Sequence, residues 1–333
     1  MKYMLTKLSK IPIAMIGFVL LLVALAIDLV SSTLIFFLRI FENSSLESSN
    51  TGIATSLLTL TGLFLFTLDI LKLAPLRRKN RKVENRIIEN NELTVVLTAY
   101  NDQESISDSV LDFLAHPLVK RVLVIDNNSI DNTNLNAKKA GAIVHLETKQ
   151  GYGACVYRAM MEASQFEDTE FFVLCEGDLT FKAFDIDKLF AYAPHGDVIN
   201  GTRIVEQLRD QNTQLTTFMF FGNFAVGKLL ELKHLGKGTI TDVGTTYKIC
   251  RSQTIRSNIS LFNSSINHEF NAHFLDVCLR NDLRIVEVPI TFHKRVGVSK
   301  GGNSSNLRAV VVGLRMIFGI IFGWNNLEGR YAK

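Results

Sequence analysis

Two acids separated by one glycine close an apolar run in FFVLCEGDLTF, where Glu176 and Asp178 follow the strand-like residues 171–175. If that run is a buried strand, both carboxylates emerge at its carboxyl end as hard oxygen ligands suited to Mg2+ or Mn2+. Magnesium commonly takes one or two carboxylates together with substrate phosphates, so the pair points to a diphosphate-bearing ligand. A solvated strand-to-loop turn explains the same letters without any metal. Arg203 closes INGTR, where its guanidinium fork is either a phosphate clamp or half of a surface salt bridge. In KQGYG, Lys149 and Gly151 stand at a helix start, where backbone N–H groups and partial positive charge favour anions. A tight turn that requires glycine accounts for those residues equally well.

These groups need a frame that gathers them. LTVVLTAY, RVLVIDNN, AIVHLE, TEFFVLCEGD and DVINGTRI read as short buried strands, and SISDSVLDFLAH places Ile106, Val110, Phe113 and Leu114 on one helical face. Strands apolar on both faces and alternating with helices predict an α/β, doubly wound, mostly parallel sheet covered on both sides. Ligands of such sheets bind beyond the carboxyl ends of the strands, which draws attention to residues 100–104, 126–131 and 176–180. Further on, TTYKICRS and RIVEVPITFHKR read as strands around the helical NHEFNAHFLDVCLRND. TTFMFFGNFAVGKLLELKHLG is helical and reads as core or as a membrane-facing surface.

The apolar excess of this 333-residue chain, 47% hydrophobic, sits largely at its ends. Between Ile11 and Phe41 only Asp28 and Arg39 are charged, and between Ala54 and Ile70 only Asp69 is. Each stretch reaches the roughly 20 residues that span a bilayer core. A cleaved signal peptide is the rival for the first, but a second span follows at once. Lysines 2, 7 and 10 and the basic run at 77–82 flank the two spans, so the positive-inside rule predicts both termini and the main domain on the cytoplasmic side. Arg308 and Arg315, seven residues apart in NLRAVVVGLRMIFGIIFGW, favour a helix lying in the membrane interface over one crossing it. The expected division is 1–75 membrane anchor, 76–92 basic linker, 93–302 soluble domain and 303–333 amphipathic membrane-associated segment. A net charge of +4, clustered beside the spans, argues against nucleic acid and for anionic lipid. Cys155, Cys175, Cys250 and Cys278 form no CxxC pair, so neither a zinc site nor a disulfide framework is expected.

TAYNDQESI, VIDNNSIDNT, KQGYGACVYRAM and CEGDLTF occur in that order, followed by VINGTRI, TDVGTTYKICR, NHEFNAHFL and RIVEVPITFHKRVGVSKGG. As an ordered set over residues 93–302 this resembles the inverting family-two glycosyltransferases of GT-A fold, particularly the polyprenyl-phosphate (dolichol-phosphate) mannose synthases. The resemblance implies that Ala99, Tyr100, Asn101 and Glu104 line a nucleotide pocket and that Asp126 contacts base or ribose. Asp131 reads instead as the cap of the next helix. Glu176 and Asp178 would hold the metal, and Thr180 is a weaker ligand candidate. The related motif begins with aspartate, so Glu176 departs from it by one methylene. Arg203 with the metal would stabilise charge on a leaving diphosphate. Asp242, a cap or a catalytic acid, and Glu269 are the candidate bases for a hydroxyl acceptor; an anionic lipid phosphate needs none. Arg251, His293, Lys294, Arg295 and Lys300 are the candidate acceptor-phosphate contacts. The implied partners are a UDP- or GDP-linked sugar, a polyprenyl phosphate and the membrane, with a homo-oligomer left open. A processive polysaccharide synthase fits less well, since no QxxRW element precedes the sole tryptophan, Trp324. A scaffold with a decayed donor site is the non-enzymatic alternative.

Overall fold

The computed structural model describes residues 8–41, 49–78, 82–297 and 306–327. The chain divides into two compact units, Met1–Lys82 with Glu231–Lys237, and Val83–Leu230 with Gly238–Lys333.

In the first unit, helix α1 (Ile13–Phe41) packs on helix α2 (Ser49–Leu68), which continues through a π-helical turn, Asp69–Leu73, into the short α3 (Ala74–Arg78). The stretches Ile13–Leu38 and Thr51–Arg78 are each long and apolar enough to cross a membrane. They touch backbone to backbone where Gly17 meets Gly62: a Cβ on Gly17 would lie 2.6 Å from the Gly62 carbonyl oxygen, and one on Gly62 2.8 Å from that of Gly17. Small residues at such crossings let helices approach where side chains would hold them apart. Asp69, the one acid of the second apolar stretch, is buried and satisfied. It accepts the Ala14 N–H at 2.7 Å and pairs with Arg77 at 2.7 Å.

The second unit is built on a seven-stranded sheet in the order β3-β2-β1-β4-β6-β5-β7. Its strands are β1 (Leu93–Ala99), β2 (Val119–Asp126), β3 (Ile143–Leu146), β4 (Phe171–Glu176), β5 (Val198–Thr202), β6 (Lys248–Arg251) and β7 (Ile285–Pro289). β6 alone runs antiparallel, between β4 and β5. Every residue of β1 and β5 is buried, which is why their sequences lack the alternation of a half-exposed strand. The helices are α4 (Ile106–Leu114), α5 (Thr133–Lys139), α6 (Tyr152–Ala163), α7 (Asp185–Phe190), α8 (Thr217–Lys233), α9 (Ser252–Asn258), α10 (Phe270–Arg280) and α11 (Asn306–Phe322). Ile106, Val110 and Phe113 of α4 enter the core beside Val95, Val124 and Val173, as their spacing predicts. In α8, Met219, Val226 and Leu230 are buried whereas Phe218 and Phe221 are exposed, so neither reading of that stretch holds for the whole helix. All four cysteines are buried free thiols.

α11 is pinned to α10. Arg315 pairs with Glu269 at 2.7 Å, the Trp324 indole N–H donates to Asp276 at 2.6 Å, and a Cβ on Gly319 would collide with the Trp324 ring. Arg308 and Arg315, seven residues apart, have different environments, Arg308 being exposed. Arg315 turns inward to a buried carboxylate, while the outward face carries exposed Leu307, Val311, Leu314, Phe318 and Phe322.

Candidate active site

Parallel pairing of β1, β2 and β4 brings Ala99, Asp126 and Glu176 to one edge of the sheet. Above that edge opens a cavity of about 430 Å³. Its lining includes Ala99, Tyr100, Asp102, Asn127, Gly151, Tyr152, Glu176, Asp178, Asn271 and Arg295, together with the α11 residues Val312 and Met316.

The chain bends sharply after β4. Leu179 takes a left-handed φ of 65°, uncommon for a residue with a Cβ, and Asp178 Oδ1 accepts the Thr180 N–H at 3.0 Å, an Asx turn that fixes the carboxylate. Gly177 packs close to α4: a Cβ there would lie 2.6 Å from the end of the Ile106 side chain, which would have to shift. Asp178 Oδ2 lies 2.9 Å from Arg295 Nη1 without the angle of a hydrogen bond. The segment after β7 returns to this turn: the His293 N–H donates to the Thr180 carbonyl at 2.9 Å and the Val296 N–H to that of Asp178 at 3.2 Å. Arg295 Nη2 also donates to Asp102 Oδ1 at 3.1 Å.

Glu176 reaches sideways. Its Oε1 accepts the Thr246 hydroxyl at 2.7 Å; Thr246 in turn bonds the Tyr152 hydroxyl, and Asn271 Nδ2 donates to that tyrosine at 2.8 Å. Burial, reinforced by the Asp178 charge, pushes the Glu176 carboxyl up to about 7. No cluster of three or more His, Cys, Asp or Glu that could hold a metal occurs among the described residues. What is present is a buried carboxylate pair with one incompletely bonded oxygen and a cation already drawn to it. That donor set fits a divalent ion completed by substrate oxygens, the usual pattern for magnesium.

Other expected residues fall elsewhere. Asp242 accepts five hydrogen bonds, from Arg203 N, Nε and Nη2 at 3.0, 2.7 and 2.8 Å, from Asn223 at 2.7 Å and from the Gly244 N–H at 2.9 Å. Burial pushes its carboxyl up, but the Arg203 charge and these bonds hold it below the usual carboxylate range. Asp242 therefore has no lone pair free for a substrate proton, and Arg203, buried and bidentate on it, does not line the cavity. Glu269, tied to Arg315, does not line it either. Arg251 is corrected outright. Because β6 is antiparallel, Arg251 pairs in register with Phe171 at the opposite end of β4 from Glu176, and its guanidinium binds Glu170.

Asp126 is buried below the cavity, accepting the Ser129 N–H at 3.0 Å and Asn134 at 3.1 Å. Asp131 accepts the Thr133 N–H at 2.9 Å from one position before the N-cap, which is Asn132. Asn101 props the neighbouring loop through Ile130, while Glu104 and Lys149 lie outside the cavity lining. Gly151 has φ 139° and donates its N–H to Asn127, and Gly153 packs so closely on the Ile266 carbonyl that no side chain fits. The glycines of KQGYG thus answer to backbone geometry. His293 pairs with Asp210 and Lys294 is exposed; Lys300 lies outside the described residues.

Asp102, Asn127, Tyr152, Thr246 and Asn271 are site residues that the sequence reading passed over. Asp102 had a signal, an acid just beyond a strand end. The others are ordinary polar residues whose convergence is tertiary.

A sheet of this order with an acid pair at the end of β4 defines a GT-A-like α/β domain. Residues 94–256 match the model for glycosyl transferase family 2, and the chain carries a domain of that family. A Mycobacterium tuberculosis protein described as an uncharacterized glycosyltransferase is 37% identical over 112 residues, covering 33% of this chain and 48% of its own length. The chain thus spans about half the length of the mycobacterial relatives it matches. The dolichyl-phosphate hexose transferase of Haloferax volcanii is 25% identical over 214 residues, 63% of this chain and 86% of that protein. Among solved structures, glucosyl-3-phosphoglycerate synthase from Mycobacterium tuberculosis, in complex with Mn2+, UDP and glucosyl-3-phosphoglycerate, aligns with a TM-score of 0.47 and 16% identity over 74% of this chain and 82% of that one.

Proposed function

We propose that the chain is a membrane-anchored glycosyltransferase that moves one sugar, with inversion, from a UDP- or GDP-linked donor to a polyprenyl phosphate at the cytoplasmic face. The observation that carries this reading is the composition of a single cavity, whose lining joins the acid pair and Asp102 with the apolar Val312 and Met316 of a helix that has an exposed apolar outer face. Donor diphosphate would lie beside these acids, with Glu176 and Asp178 holding Mg2+ or Mn2+. That ion would supply positive charge against the negative charge developing on the leaving diphosphate.

The two residues that read as general bases, Asp242 and Glu269, are committed to arginines. An acceptor whose oxygen is already anionic near neutral pH needs no base, which favours a lipid phosphate over a sugar hydroxyl. His293, Lys294 and Arg295, on the segment whose backbone docks on the acid turn, are the basic groups offered for contacts to that phosphate. The outer face of α11 suits the head-group boundary, and the two apolar helices suit an anchor with both termini cytoplasmic. Within this reading the segments keep the roles anchor 1–75, linker 76–92, transferase 93–302 and membrane-associated tail 303–333.

Incubating membranes that contain the protein with common nucleotide sugars and polyprenyl phosphate gives a glycolipid. A folded protein that makes none with any of those donors overturns the proposal. Calorimetric silence toward every UDP and GDP sugar, with and without Mn2+, identifies a scaffold instead.

A further inference from the structure

Three carboxylates, Asp102, Glu176 and Asp178, line the cavity, and one guanidinium bridges two of them: Arg295 Nη2 to Asp102 at 3.1 Å and Nη1 to Asp178 at 2.9 Å. We infer that Arg295 is a stand-in cation that makes divalent-metal binding at Glu176 and Asp178 conditional on the nucleotide diphosphate. The inference rests on the donor-site reading above and adds a rule of order to it.

The bridge is incomplete on both sides. Arg295 Nε is buried without a hydrogen-bond partner, and Asp178 Oδ2 meets Nη1 at an angle too poor for a hydrogen bond. What sets this guanidinium apart is its place: it lines the cavity between two carboxylates instead of closing on one, as Arg203 does on Asp242. The backbone on either side of it is fastened, His293 to Thr180 and Val296 to Asp178, so the side chain is free to change partners while its loop stays docked on the acid turn.

A divalent ion arriving alone would lie beside a buried positive charge already drawn to the same carboxylate, and the two cations would repel each other. A diphosphate removes that conflict. It contributes ligand oxygens to the metal and gives the guanidinium a bidentate anionic partner, so Arg295 passes from Asp178 to the diphosphate as the metal takes its place. Metal and diphosphate then bind with positive coupling, and by linkage each raises the affinity for the other by the same factor.

The test is Mn2+ binding to the full chain in detergent micelles, followed by the electron paramagnetic resonance of free Mn2+, with and without UDP or GDP. In the wild type, the nucleotide that binds tightens Mn2+ by a factor within about 5–150, the ordinary range of coupling between sites. Arg295→Ala tightens Mn2+ without nucleotide and lowers the coupling factor, leaving only the part that comes from diphosphate oxygens on the metal. Arg295→Lys, which keeps a charge but loses the fork, lies between. Unchanged or weaker Mn2+ binding in a folded Arg295→Ala protein, while the wild type still binds Mn2+ with nucleotide, overturns the stand-in role and leaves the donor reading intact. A wild type that takes neither Mn2+ nor nucleotide overturns both. Should Arg295→Ala fail to fold, the wild-type coupling and Arg295→Lys decide: independent binding of Mn2+ and nucleotide sinks the inference.

Discussion

Two buried aspartates in the same domain each meet an arginine, with opposite results. Around Asp242 every lone pair is used: Arg203 binds it through both fork nitrogens and its own backbone N–H, and Asn223 and Gly244 complete the set. Around Asp178 one oxygen is fixed by Thr180 and the other faces Arg295 without a true hydrogen bond. Buried charges persist only when paired and hydrogen-bonded, so the saturated pair is architecture. The unsaturated pair lines the cavity, and it is the pair that the proposed function assigns to metal and diphosphate.

That contrast breaks most readily at Asp242. Asp242→Ala leaves Arg203 charged and buried, and is expected to destabilise the domain by about 3–5 kcal/mol, the usual penalty for removing one partner of a buried pair. Replacing both residues, Arg203→Met with Asp242→Leu, recovers most of that loss. Thermal unfolding of the three proteins in detergent measures both effects; an Asp242→Ala protein as stable as the wild type abolishes the distinction between the pairs. Asp178→Asn is the mirror image. It keeps the Asx turn, since the amide oxygen still accepts from Thr180, and its unfolding temperature stays close to wild type. Transfer from nucleotide sugar falls on the order of 10²–10³-fold, the scale seen when one element of charge stabilisation is removed. A large stability loss with intact turnover would make Asp178 the structural member after all.

Behind the saturated pair stands Glu287 of β7. Its carboxylate accepts the Thr241 N–H at 2.8 Å, the Thr241 hydroxyl at 2.6 Å and the Asp242 N–H at 3.3 Å, and so shapes the loop that carries Asp242 and Thr246. Burial pushes this carboxyl up from 4.5 to about 7 against those hydrogen bonds. A carboxyl raised in the folded state favours folding while it is protonated, fully below the unfolded value of 4.5, and that contribution is lost as pH rises through about 7. The shift corresponds to at most about 3 kcal/mol. Wild-type unfolding temperature should therefore fall more steeply between pH 5 and pH 8 than that of Glu287→Gln, which cannot ionise. Parallel curves would mean that the Glu287 titration is not coupled to folding.

The strands were legible because burial on both faces leaves only apolar, β-branched runs, and runs such as LTVVLTA admit few other interpretations. Polar residues at the ends of those strands were legible for the same reason, since topology alone sends them to one edge. The sequence did not disclose the direction of β6. Four residues, KICR, carry no mark of being antiparallel, and that reversal is what takes Arg251 to the far end of the sheet. Nor could it separate Asp178 from Asp242, two acids in turn-like contexts whose difference lies in how many donors converge on each. The contribution of α11 was hidden as well. Val312 and Met316 reach a cavity whose other lining residues fall between 98 and 295, and Arg315 pairs with Glu269, a partner that spacing along the helix does not disclose.

Glu176 allows the finest adjustment of the comparison. Its extra methylene carries the carboxylate to the Thr246 hydroxyl at 2.7 Å, and through Thr246 to Tyr152 and Asn271, which also line the cavity. An aspartate at 176 would keep the charge beside Asp178 but fall short of Thr246. If Glu176 serves only as charge, Glu176→Asp is silent. If it also ties the acid pair to the Thr246–Tyr152–Asn271 chain, the variant loses one charge-assisted hydrogen bond, a kind of bond worth about 1.5–3 kcal/mol when well made. Part of that loss is returned by water or by a closer approach to the metal, so the expected fall in kcat/KM is about tenfold, smaller than for any change above. Thr246→Val removes the same bond from its other end, and a double-mutant cycle then distinguishes the cases. Equal losses that do not add place Glu176 in the hydrogen-bonded chain; additive losses, or a Glu176→Asp protein as active as the wild type, show that the longer side chain contributes no more than its charge.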